Sequence, residues 1–170
     1  MPQKDFLGPM EKIEQTLVFD QKDLIKMMRI WFKDKGYTIW EKAHTQTPTN
    51  DGRNKFSMFW KVEKEVDPYV TINMDVFVLA ITQDVTVEEE EKKVTMQDGK
   101  LSIDVGGYTT KDIESEWGIS PKNPLTGFLR ELYDKILNRD KMDRFEAQIR
   151  KDKDDFKRDL KTYMKMHRID

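Results

Sequence analysis

The spacing of hydrophobic and polar positions changes several times along the chain, and each change predicts an element. Ile13, Leu17 and Phe19 share one parity with Val18 on the other, which predicts a short strand over 13–19. Asp20 then stands at an N-cap position, and Asp23 puts negative charge in a first helical turn, where free amides and the helix dipole favour it. Leu24, Met27, Met28 and Trp31 recur at three-and-four spacing, widened by Ile25 and Phe32, and predict a helix with a broad buried side. Gly36 closes it, because glycine adopts left-handed backbone most readily.

Tyr37 to Gln46 alternates imperfectly and predicts a strand, followed by a long exposed loop of turn formers from Thr47 to Asn54. Phe56, Met58, Trp60 and Val62 fall on one parity, the mark of a half-buried strand, which Asp67-Pro68 ends. Val70, Ile72, Met74, Val76 and Val78 form the next apolar face. Phe77, Leu79 and Ile81 make the second face apolar as well, which predicts cover on both sides there. Val85, Val87, Val94 and Met96 bracket the acidic run Glu88 to Glu91, an exposed hairpin edge, and Asp98-Gly99 predicts a two-residue turn into Leu101, Ile103 and Val105. Gly106-Gly107 predicts a break or bulge, and the stretch through Pro124 an irregular connector anchored by Trp117.

From Leu125 to Arg168 there is no proline, and apolar residues return every three or four positions, which predicts helix. Phe128, Leu129, Leu132, Tyr133, Ile136 and Leu137 give a wide apolar side. Met142, Ile149, Phe156 and Tyr163 follow at intervals of seven, with Phe145 and Leu160 between them, giving a narrower stripe. Asn138-Arg139-Asp140 marks the hinge if the tail is two helices rather than one.

The expected order is strand, helix, five strands and long helix. This is an α+β class: a curved antiparallel sheet of about six strands, one helix after strand 1, and a long C-terminal helix packed on the sheet. It divides into a flexible lead-in over 1–10, an α+β domain over 11–137 that includes the start of the C-terminal helix, and a helical extension over 138–170. The order resembles the helix-grip fold of START-like ligand carriers over residues 11 to about 140, with room for only one helix after the first strand. The resemblance implies an apolar cavity between the sheet and the last helix. It is one of architecture and carries over no site residue.

Composition narrows the chemistry. The chain has 170 residues, no cysteine and two histidines, so disulfides, thiolate metal sites and cysteine nucleophiles are excluded. His44 and His167 lie in no metal-ligand spacing, and the sequence has no nucleophile elbow or phosphate loop, so no catalytic residue, metal ligand or cofactor is expected. Whether the chain is an enzyme stays open, with the balance toward none. No apolar run is long enough to span a bilayer, and the N-terminus has no secretory apolar core, which points to the cytoplasm.

Two function classes follow. The first is a non-enzymatic intracellular binding protein that holds an apolar ligand or a protein partner between sheet and last helix, against Trp40, Phe56, Met58, Trp60, Met74 and Val76. Its tail stripe, Met142, Phe145, Ile149, Phe156, Leu160 and Tyr163, is expected to dock a protein partner or form a homodimer. The second is an RNA- or ribosome-associated factor. Net charge is −2, but from Leu125 on there are 13 Lys and Arg against 10 Asp and Glu, so the basic side of that helix is where phosphates would bind.

Overall fold

The computed structural model describes residues 3–68, 70–111, 125, 128, 132 and 139–166. They form β1 (Gln3–Phe6), β2 (Glu11–Phe19), α1 (Gln21–Asp34), β3 (Thr38–Pro48), β4 (Asn54–Asp67), β5 (Val70–Glu89), β6 (Lys92–Lys111) and α2 (Arg139–Met166). The class is α+β, as the periodicity predicts. All strand pairings are antiparallel, in the order β1-β6-β5-β4-β3, with β2 also paired to β6. β1 and β2 lie one after the other along β6, so six strands occupy five positions across the sheet. The connector with Trp117, Asn138 of the expected hinge, and His167 lie outside the described residues.

The caps of α1 are those its sequence specifies. The Asp20 side chain accepts from the amides of Lys22 and Asp23 at 3.1 and 3.3 Å. At the other end Gly36 has φ 86°, its N–H donates to the Lys33 carbonyl, and the Tyr37 N–H donates to the Phe32 carbonyl. The rings of Phe32 and Tyr37 meet edge to face at 5.9 Å, supplying the apolar contact of a Schellman cap.

Several expectations are corrected. Residues 3–6 of the lead-in are a strand on β6, and Leu7 is buried, because the apolar pair Phe6-Leu7 has both faces of the sheet edge to cover. Asp98-Gly99 is no turn: β6 runs straight through it, with Gly99 opposite Leu17 on one side and Thr82 on the other. The two-residue turn is Glu90-Glu91, at φ 50° and 65°, where the long β5–β6 register requires left-handed backbone whatever the side chains. The acidic run therefore caps the hairpin, with Glu88 opposite Lys93 and Glu89 opposite Lys92. Gly106-Gly107 does not break β6 either. A Cβ on Gly107 would lie 2.5 Å from Ile149 Cγ2, so the missing side chain is what lets α2 approach the sheet.

The larger correction concerns the tail. Residues 139–166 are not an extension, because α2 lies against the inner face of the sheet beside α1. Met142, Ile149, Phe156 and Leu160 are buried, and Phe145 and Tyr163 pack against the same core. The Phe156 ring sits 4.7 Å from Phe32 and 5.0 Å from Trp31. The stripe read as a partner surface is thus covered by the chain's own sheet and first helix, which also lack cover without it.

A polar seam runs beside this contact. Tyr37 donates to buried Asp152 at 2.7 Å, Trp31 Nε1 donates to Asp159 at 2.9 Å, and the Tyr163 hydroxyl donates to Asp23. Burial, reinforced by the carboxylates they meet, pushes the hydroxyls of Tyr37 and Tyr163 up, which keeps both as donors. Glu11 receives Lys157 at 2.8 Å and Lys153 at 3.7 Å, and the Lys157 hydrogen bond holds its carboxyl below the ordinary range against a smaller opposing effect of burial. A group lowered in the folded state contributes stability above its unfolded value and loses it as pH falls through the folded one. Glu11→Gln should therefore flatten the acid side of a stability–pH profile by about 0.5 kcal/mol, a modest effect because the side chain is partly solvated. Urea unfolding between pH 3 and 7 measures it.

Candidate functional site

Alternation assigns each residue of the sheet to a face. Phe56, Met58, Trp60 and Val62 of β4, with Met74, Val76 and Val78 of β5, point to the helices and belong to one buried core. Of the six residues expected to line a sheet–helix cavity, five (Phe56, Met58, Trp60, Met74 and Val76) are core residues at most 2% exposed. The sixth, Trp40, is directly opposite Lys61, whose parity differs from that of Trp60 and Val62, so it belongs to the outer face. It is 49% exposed, and its indole N–H donates to Glu63 at 2.9 Å. Within the core the Trp60 indole N–H has no partner among the described residues, and the Arg29 guanidinium lies 5.2 Å from its ring centre.

The outer face carries a feature that parity alone left hidden. Phe59 and Phe77 are direct cross-strand partners, and their rings stack nearly parallel, 4.2 Å apart at an interplanar angle of 5°. Phe77 is 42% and Leu79 39% exposed, so the cover expected on both faces is missing here among the described residues. Beside the stack is an open groove of about 400 Å³ lined by Ala43, Lys55, Ser57, Phe59, Phe77, Leu79 and Asp104, with Met58 and Val78 beneath. The floor is apolar and the rim has one cation and one carboxylate. The sequence signal was Phe59 and Phe77 at polar-parity positions of two neighbouring strands.

Farther along the same face the surface closes over. Tyr108 is buried, tilted against Phe6 at 5.3 Å, with the ammonium groups of Lys4 and Lys61 at 5.4 and 5.8 Å from its ring. Its hydroxyl donates to Asp75 at 3.4 Å, and burial pushes the Asp75 carboxyl up while Lys61 partly restrains it. No group of three or more acidic or histidine side chains suited to a metal ion occurs among the described residues. His44 pairs with Glu41 at 2.9 Å in an exposed position.

On the solvent side of α2, Lys157, Arg158, Lys161, Thr162 and Lys165 line a second open groove of about 310 Å³ together with Asp154. Its charge is partly used internally: Lys157 holds Glu11, and Arg158 pairs with Asp155 at 3.0 Å and Asp159 at 3.4 Å. Among the described residues no helix is long and apolar enough to cross a membrane.

No family model matches the chain, and no curated protein matches it. Among solved structures it is similar to an uncharacterized protein from Rhizobium leguminosarum, at 12% identity over 87% of this chain and 99% of that one, with a TM-score of 0.21. A likeness of that size carries no argument about fold or function.

Proposed function

We propose that the chain is a non-enzymatic intracellular binding protein that receives an apolar or aromatic group, from a small ligand or a protein partner, on the outer face of its sheet. The observation that carries this reading is the Phe59–Phe77 stack, left half open to water at the floor of a groove of about 400 Å³. An offset or edge contact on such a pair gains area burial plus about 0.5–1.5 kcal/mol of aromatic interaction. Lys55 and Asp104 on the rim would orient a polar group on the ligand. The helix-grip resemblance suggests the same kind of function on the other face. There, however, the five inner residues are taken up in holding α1 and α2, so the outer groove is the better supported site.

The probe is 1-anilinonaphthalene-8-sulfonate, which brightens in apolar sites. Saturable enhancement by the folded chain, lost in Phe77→Ser with unchanged far-UV circular dichroism, is the expected result. Equal enhancement by both proteins would remove the groove from consideration. The RNA reading rests on the Lys157–Lys165 side of α2. Fluorescence anisotropy with a single-stranded RNA oligonucleotide separates the two readings, because phosphate binding weakens steeply with salt and an apolar contact does not.

A further inference from the structure

β3 is the last strand of the sheet and pairs only with β4, so along its other side its backbone N–H and C=O groups have no partner strand among the described residues. Its side chains are exposed on both faces over nearly all of its 11 residues. Such an edge is a template for another strand unless it is guarded. Two guards are present, and their positions matter: Lys42 sits in the bulge between Glu41 and Ala43, and Pro48, which has no N–H, ends the strand. Between them Ala43, His44, Thr45, Gln46 and Thr47 contain no Lys, Arg, Asp or Glu.

From this geometry we propose that the edge pairs with β3 of a second copy of this chain, antiparallel about a two-fold axis at Thr45. The window is symmetric about that residue. Thr45 faces its own copy, His44 faces Gln46, and Ala43 faces Thr47, so every opposed pair is small or polar and no like charges meet. The Lys42 bulges and Pro48 rings then fall just outside the paired segment, where they bar slippage into other registers. Two sheets become one continuous sheet with both outer grooves on the same side. The inference goes beyond the ligand reading and stands without it.

Because the chain has no cysteine, single-cysteine variants report this pairing directly. Opposed Cα atoms in an antiparallel pair are about 4.5–5.5 Å apart, within the span of a disulfide. Thr45→Cys should give a covalent dimer on mild oxidation. Ala43→Cys and Thr47→Cys should each stay largely monomeric alone and cross-link when mixed. In sedimentation equilibrium the unmodified chain should show a concentration-dependent dimer, and Thr45→Lys, which sets two ammonium groups face to face at an exposed position, should weaken it several-fold. A chain that stays monomeric, cross-linking that ignores position, or a dimer untouched by Thr45→Lys overturns the proposal.

Discussion

Phe156→Ala is expected to lower the free energy of unfolding by about 3–5 kcal/mol, the usual cost of emptying a core position that large. Phe156 is 1% exposed and its ring is wedged between Trp31 and Phe32 of α1, so three aromatic side chains lose contact together. Leu160, Met164 and Met28 belong to the same buried core, and the paired strands behind it leave little room to collapse into the void. Urea titration followed by circular dichroism and by tryptophan fluorescence tests it. Both signals should shift together, because α2 belongs to the same cooperative unit as the sheet. A fluorescence transition that stays in place while helicity is lost early would show that α2 is dispensable. The same reasoning predicts that a chain ending at Asn138 does not fold, since Ile149, Phe156, Leu160 and Met164 leave with it.

Gly99→Ala is expected to be the most damaging single methyl group that can be added to the sheet, at roughly 2–3 kcal/mol or more. A Cβ there would lie 2.1 Å from the Ile81 carbonyl oxygen and 2.8 Å from the Thr82 Cα, and backbone atoms in a paired strand cannot turn aside. Gly107→Ala is the informative contrast. Its Cβ would meet Ile149 Cγ2 at 2.5 Å, a side-chain atom that substitution removes. Ile149→Ala should therefore recover part of the loss in Gly107→Ala and none in Gly99→Ala. Thermal unfolding of the singles and doubles gives the coupling directly; equal coupling in both cycles would mean that Gly99 faces no fixed obstacle.

Much of this fold was legible in the chain. Asp20, Asp23 and Gly36 fixed both ends of α1, because caps depend on a few adjacent residues. The parity of Phe56 to Val62 and of Val70 to Val78 assigned the inner face correctly, since alternation is a property of the strand alone. The position of the β5–β6 turn was not legible. Asp98-Gly99 is the better local turn signal, yet two strands of 20 residues choose their register by all their cross-strand pairs, and one favourable dipeptide does not outweigh that sum. The apolar stripe of α2 was visible at its spacing of seven, but spacing does not say what covers it, and here it is the chain's own sheet. For the same reason the site was only half legible. Phe59, Phe77 and Leu79 were apolar residues at outward positions, and which of them stay open depends on how distant segments pack.

The polar seam along α2 has a consequence for alignment. Apolar residues spaced by seven repeat themselves when a helix slides about 10.5 Å, so grease alone would tolerate a shifted docking. Asp152, Lys157, Asp159 and Tyr163 meet Tyr37, Glu11, Trp31 and Asp23 in turn. Although Asp152 and Asp159 are seven apart, a slide that sets Asp152 on Trp31 sets Phe145 on Tyr37 and Phe156 on Asp23, while the opposite slide sets Met164 on Glu11 and Met166 on Trp31. Any displaced pose strands carboxylates against hydrocarbon, and the rod can seat in one position only, like a key cut for a single lock.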